Sequence, residues 1–275
     1  MRKLCTRGIL NRRKSLNMNF KNQVVIVSGS SSGIGAAAAI EFARAGAKVV
    51  INFSKSASSA AKVRDKCIEA GGEAISIKAD VSKNTECLSL IEKTKKKWDS
   101  IDILVNNAGT TKFVKHSDLD GLNSEDFHNM YGLNTVGPFQ LIRAARPFLR
   151  QSSNGAIVNM SSVAGLRAYG SSVAYAASKA ALNSLTLSLA RALGPEGIRV
   201  NSVCPGFVET DWFHKTHEKE KVEKMVRTQI ETTPLQRSGT AEDITGAILF
   251  FASDWSKHIT GQMLAVDAGL LLGKI

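Results

Sequence analysis

Val24-Val25-Ile26-Val27-Ser28-Gly29-Ser30-Ser31-Ser32-Gly33-Ile34-Gly35, running on into Ala36-Ala37-Ala38-Ala39, is the stretch on which the architecture turns. Four consecutive β-branched apolar residues suit a short strand buried on both faces, and the alanine run suits a helix. Between them lies a Gly/Ser turn. Glycines let the backbone turn tightly and come close to a bound group, while a helix start offers free N–H donors and the positive end of its dipole. Strand, turn and helix in that order make a cradle for a pyrophosphate. The glycine spacing is GxxxGxG (Gly29, Gly33, Gly35) and not the GxGxxG of the general dinucleotide fingerprint, so its weight comes from its place at the start of a βαβ unit.

The same alternation continues along the chain. Lys48 to Asn52 reads as a second strand, followed by Ala74 to Ala79, Ile103 to Val105, Ala156 to Met160, Arg199 to Val203 and Gln262 to Val266. Helical stretches separate them: Ala36 to Ala45, Ala57 to Ala70, Glu86 to Trp98, Phe127 to Leu149 and Ala174 to Ala192. Near-continuous apolar strands joined by helices imply a parallel sheet covered on both faces, and right-handed crossovers make it doubly wound. The expected fold class is α/β, a single doubly wound parallel-sheet Rossmann domain over residues 19–275. Residues 208–237 break the rhythm with a charged stretch containing Trp212, Phe213, His214, His217 and Met225. Long insertions of this kind are often lids, so this one is read as a substrate lid.

Half of the net charge of +12 sits in the first 17 residues, which carry Arg2, Lys3, Arg7, Arg12, Arg13 and Lys14 and no acid. This extension, residues 1–18, reads as a flexible leader ahead of Met18; its composition also resembles a mitochondrial presequence. The remaining excess is spread over helical faces such as Lys93 to Lys97 with no interleaved aromatics, which argues for solvated surface and against a nucleic-acid partner. No apolar run is long enough for a membrane span, so no membrane partner is expected. Cys5, Cys67, Cys87 and Cys204 are scattered, which fits reduced thiols and a cytoplasmic setting. No third ligand accompanies His214 and His217, so no metal site is expected. Cys204 is read as structural.

The end of the second strand bears on the choice of dinucleotide. NAD-selective Rossmann proteins place an acid there for the ribose 2′-hydroxyl. Asn52-Phe53-Ser54-Lys55-Ser56 has none, and hydroxyls with a lysine suit a 2′-phosphate, so NADP(H) is expected, with NAD(H) not excluded. Further on, Tyr175 and Lys179 stand i,i+4 on one helix face. A phenol of ordinary pKa ~10 is a weak proton donor and acceptor at neutral pH, and an adjacent ammonium lowers that value. Ser161 and Ser162 follow a strand, and either serves as a hydroxyl partner. Asn134 precedes Pro138 by four residues, so its carbonyl loses its i+4 donor and the helix is expected to kink there.

Taken together, these motifs resemble the short-chain dehydrogenase/reductase family over nearly the whole chain from Asn19. The family's TGxxxGIG stands here with Ser28 in place of Thr. Asp80-Val81, Asn106-Asn107-Ala108-Gly109, Asn134, Ser162, Tyr175-x-x-x-Lys179 and Pro205-Gly206 with Thr210 follow in order. The resemblance implies hydride exchange between a carbonyl or alcohol substrate and the cofactor. Tyr175 would act as general acid or base, and Lys179 would lower its pKa and hold the nicotinamide ribose. Ser162, which leads into the Val-Ala-Gly turn, would bind the substrate oxygen, and Asn134 would hold a water in a proton relay. Cofactor contacts would come from Gly29, Ser31, Ser32, Gly33, Ile34, Gly35, Phe53, Ser54, Lys55, Asp80, Val81, Asn107, Ala108, Gly109, Tyr175, Lys179, Pro205, Gly206, Val208 and Thr210. The arginine common in the family before the second motif glycine is Ser32 here, leaving Lys55 as the cation. The pattern resembles 3-oxoacyl-thioester reductases and glucose or polyol dehydrogenases within the family. A cofactor-binding regulatory protein without turnover is the alternative from another class. A homotetramer is also implied, with Leu182, Leu185, Leu189 and Leu193 either at its contact or packed inside the monomer.

Overall fold

A computed structural model describes residues 18–214 and 216–273. The readings of the basic extension, and Cys5 within it, lie outside the described residues. In chain order the elements are β1 (Val24–Val27), α1 (Gly33–Arg44), β2 (Lys48–Phe53), α2 (Ala57–Glu69), β3 (Glu73–Lys78), α3 (Asn84–Trp98) and β4 (Ile103–Asn106). They continue with α4 (Ser124–Tyr131), α5 (Gly137–Leu149), β5 (Ala156–Met160), α6 (Ala164–Arg167), α7 (Val173–Leu193) and β6 (Arg199–Pro205). The last are α8 (Asp211–His214), α9 (Lys219–Thr232), α10 (Ala241–Ala252) and β7 (Met263–Val266).

The seven strands form one parallel sheet in the order β3-β2-β1-β4-β5-β6-β7. Side chains on a strand point alternately to the two faces. Val25 and Val27 of β1 therefore enter one core layer with Phe42 of α1, Val63 of α2 and Ile248 of α10. Ile26 enters the other layer with Leu90 of α3 and Leu141 of α5. The sheet is thus sandwiched by helices, a Rossmann architecture, and the chain order reverses between β1 and β4. Crevices for ligands form beyond the carboxyl ends of strands at such a reversal.

Three local findings differ from the expectation. The helix over Phe127 to Leu149 begins earlier, at Ser124, where Asn123 and Asp126 cap each other's backbone. The expected kink is absorbed as a π-helical turn over Gly132–Val136, in which the Gly137 N–H donates to the Gly132 carbonyl. Pro138 then falls in the first turn of α5, where a missing N–H costs nothing. Within residues 208–237, sparse apolar residues hid α9, of which Val222 and Gln229 are buried. This stretch opens with a parallel bridge between Val208 and Gly239. Leu182 and Leu193 are 1% and 4% exposed and pack inside the monomer, whereas Leu185 and Leu189 of the same row are half-buried.

The end of the stretch over residues 208–237 is pinned to α10. Arg237 grips Asp243 with two hydrogen bonds of 2.6 and 2.9 Å, and Asp243 accepts from the Thr240 N–H at 2.9 Å. The guanidinium, first, and the backbone bond hold the Asp243 carboxyl down at about 2, below its usual 3.8. A depressed carboxyl stabilises the fold fully above its unfolded value and loses that contribution as pH falls through the folded one. Asp243→Ala is expected to cost about 1 kcal/mol at neutral pH, since the pair is partly solvated and a cap is lost. In urea titrations the difference from wild type should vanish between pH 3.8 and about 2.

Candidate active site

A cavity of about 420 Å³ opens at the β1/β4 reversal. One end is the Gly/Ser turn. Gly29 has φ of +61°, and a Cβ there would stand 2.8 Å from the Ala108 Cα. A Cβ on Gly35 would meet the Asn107 Nδ2 at 2.4 Å. That amide is already placed, donating to the Ser28 carbonyl at 2.9 Å and the Gly29 carbonyl at 3.1 Å. Ser28 Oγ accepts from the Asn107 and Ala108 N–H groups at 2.9 and 3.0 Å, so the loops after β1 and β4 are stitched together. Ser28 supplies the hydroxyl that the family's threonine would supply.

Ser32 caps α1 with no side-chain hydrogen bond, and the first turn of the helix carries no acid. Ser32, Gly33 and Ile34 line the cavity, so open N–H groups and the dipole's positive end face it. This donor set fits a pyrophosphate. Beside it, Asn52 is buried and turned inward: it donates to the carbonyls of Ile77 and Ala79 and accepts from the Gly29 N–H. Ser54 lines the cavity and is exposed. Asp80 and Val81 line it too, and Asp80 Oδ1 accepts from Ser82 Oγ at 2.7 Å.

At the other end, Ser162, Tyr175 and Lys179 converge on the wall. Ser172 caps α7 by accepting from the Tyr175 N–H at 3.3 Å, which fixes where the tyrosine leaves the helix. Burial, the larger effect, pushes the Tyr175 phenol up to about 12, while the Ser162 side chain beside it pulls the other way. Lys179 Nζ donates to the Met160 carbonyl at 2.8 Å and lies 5.7 Å from the Tyr175 ring centre. Burial pushes this ammonium down to about 8. The i,i+4 spacing of Tyr175 and Lys179 predicts a lowered phenol pKa. In this structure desolvation governs both groups, because it disfavours the charged form of each.

Asn107, Ala108, Gly109, Pro205, Gly206, Val208 and Thr210 also line the cavity. Ser31, Gly35, Phe53, Lys55 and Asn134 do not line it. Phe53 turns into the core at 8% exposure, because it ends a strand buried on that face. Lys55 is exposed beyond the end of β2. Asn134 is fully buried; its Oδ1 accepts from the Thr110 N–H at 2.8 Å and its Nδ2 donates to the Thr110 carbonyl and Ser178 Oγ, each at 2.9 Å. It therefore ties the β4 loop to α7. Ser161 Oγ donates to the Lys179 carbonyl at 3.1 Å, bracing α7 from below.

Asn52, Ala79, Leu133 and Met160 line the cavity beyond the expected set, and Ser161 lines it beside Ser162. Asn52 carried a signal, a polar residue between apolar ones in a strand. Trp212 and Phe213 of the stretch over residues 208–237 also line it. Cys67, Cys87 and Cys204 are buried free thiols, and among the described residues no cluster of His, Cys, Asp and Glu could hold a metal. Among them, too, no helix is long and apolar enough to cross a membrane.

The family profile described as enoyl-(acyl carrier protein) reductase matches residues 29–271. A 3-oxoacyl-(acyl-carrier-protein) reductase of Synechocystis is 36% identical over 251 residues, covering 91% of this chain and 97% of its own. The enzyme of the same description from Thermotoga maritima is 34% identical, covering 93% of this chain and all of its own. A solved Burkholderia xenovorans structure assigned to the short-chain dehydrogenases/reductases superposes with a TM-score of 0.83 at 38% identity, covering 92% of this chain and 99% of that one. The chain belongs to the short-chain dehydrogenase/reductase family of oxidoreductases.

Proposed function

We propose that this protein is an NADP(H)-dependent reductase of a ketone carbonyl, with a 3-oxoacyl thioester as substrate class. The carrying observation is the single cavity that joins an open helix N-terminus, at Ser32 to Ile34, to the Ser162–Tyr175 pair beside Lys179. The relatives' names favour the thioester over a sugar or polyol. When bound, the nicotinamide would supply hydride to the carbonyl carbon. Ser162 and Tyr175 hold the substrate oxygen, and Tyr175 donates its proton to that oxygen as the alcohol forms. Lys179, held by Met160, would face the ribose. The Asn134 side chain is spent on Thr110 and Ser178, so the proposed water relay would run through its backbone carbonyl. The intact set of four speaks against a binding protein without turnover.

NADP(H) preference is supported by the absence of a carboxylate at the end of β2, where Asn52 is engaged internally and Ser54 faces the cavity. Lys55, exposed next to it, would act on the 2′-phosphate from outside the lining. Ser54→Asp is expected to weaken NADPH binding by about tenfold or more through like-charge contact, and to spare NADH. Fluorescence titration of both proteins with both dinucleotides checks this; equal loss for both would reject the assignment. A tetramer fits the apolar residues left open on the α4–α5 helix, where Phe127, Val136 and Phe139 are 37%, 43% and 39% exposed. The stretch over residues 208–237 is proposed as the substrate lid of a single domain over 19–275, in a protein of the cytoplasm.

A further inference from the structure

The lid is held by aromatic contacts that the reaction itself does not require. Phe213 of α8 packs on Phe207, which follows the cavity floor, with ring centres 4.7 Å apart. It also meets Phe113 of the loop after β4 at 5.9 Å. Phe113 in turn stands edge-on to His217, between α8 and α9, at 4.4 Å. Phe113 is anchored near the chemistry: Thr111 Oγ1 and Ser171 Oγ lie 2.5 Å apart, and the Val114 N–H donates to the Ser171 carbonyl at 2.8 Å. Ser171 directly precedes the residue that caps α7 over Tyr175. One side of this clasp is therefore the catalytic wall and the other is the lid.

Phe213 and Trp212 belong to the cavity lining together with Ser162 and Tyr175. A substrate whose oxygen lies on Ser162 and Tyr175 meets aromatic rings on the lid side. An apolar chain gains from covering such rings, whereas hydroxyls would be desolvated against them without partners.

We propose that Phe113 is a positioning residue that sets substrate choice: by clasping Phe213 and His217 it holds the lid's aromatic wall in place to receive an apolar chain extending from the carbonyl. The substrate part rests on the reductase reading above; the clasp does not. Two measurements separate them. In hydrogen exchange of the free protein, Phe113→Ala should speed exchange of the amides over 211–218 and leave α7 as in wild type. Phe113→Leu should lie between the two. Unchanged exchange over 211–218, or faster exchange throughout the chain, overturns the clasp whatever the activity.

In turnover with NADPH, wild type should favour a 3-oxooctanoyl over an acetoacetyl thioester by about tenfold in KM, from apolar burial and ring contact. Phe113→Ala should remove that preference, with kcat for the acetoacetyl compound and NADPH affinity unchanged. Phe113→Leu should restore part of it. A preference that survives in Phe113→Ala overturns the role in substrate choice. If wild type reduces neither thioester while the exchange difference is present, the substrate assignment falls and the clasp stands.

Discussion

A Tyr175→Phe variant is expected to lose about 10²–10⁴-fold in kcat for carbonyl reduction while binding NADPH as wild type does. The ring is retained, so its packing beside Lys179, 5.7 Å from Nζ to the ring centre, is retained as well. What disappears is the hydroxyl beside Ser162 that is proposed to carry the proton. The phenol, pushed up to about 12, keeps its proton throughout the neutral range in the free protein, the form that reduction needs. Alcohol oxidation needs the phenolate, so its kcat/KM should climb with pH across that range and the variant should show no such climb. Steady-state kinetics in both directions, with a thermal melt as control, check this. A variant that melts like wild type and keeps more than a tenth of its rate would remove Tyr175 from the proposed role.

The second large effect concerns the turn. Gly29→Ala would put a Cβ at φ +61° and 2.8 Å from a backbone carbon of Ala108. The left-handed backbone and the forced separation of the two loops are together worth about 2–5 kcal/mol. The clash falls where Ser28 and Asn107 stitch β1 to β4, so the loops cannot part without losing bonds of 2.9 to 3.1 Å. A fall in melting midpoint of at least about 5 °C is expected, with NADPH affinity reduced in the protein that remains folded. A variant of wild-type stability and affinity would show that the turn is not the close approach described.

Much of this was legible from residue order. Val24 to Val27 and the glycine turn gave the first βα unit because a run of β-branched apolar residues and glycine's access to positive φ are local properties. Tyr175 and Lys179 were legible because i,i+4 spacing on one helix face brings two side chains together wherever that helix is placed. What escaped depended on direction or on partners distant in sequence. Phe53 and Ser54 are neighbours, yet one turns into the core and the other toward the cavity, and strand alternation without a register does not say which. Asn134 was marked, but its side-chain partners, Thr110 and Ser178, lie 24 and 44 residues away. Pro138 was read as a kink because a π turn needs no special residue to signal it. Phe113 gave no signal at all, since its partners sit some hundred residues later in the lid.

The balance of charges in the site follows the same logic. Lys179 was expected to draw the phenol down, and a sequence supports that because it shows spacing. Burial is not visible there, and it takes Lys179 to about 8 and Tyr175 to about 12. Oppositely directed shifts of a buried phenol and a buried ammonium follow from desolvation, which disfavours the charged form of each.

The most direct test is to follow NADPH consumption and product together with an acetoacetyl thioester as the offered ketone. The account predicts one hydroxyacyl thioester formed per NADPH oxidised, with the reaction lost in Tyr175→Phe. NADPH bound tightly with no alcohol formed, or the same rate in the variant, would contradict it.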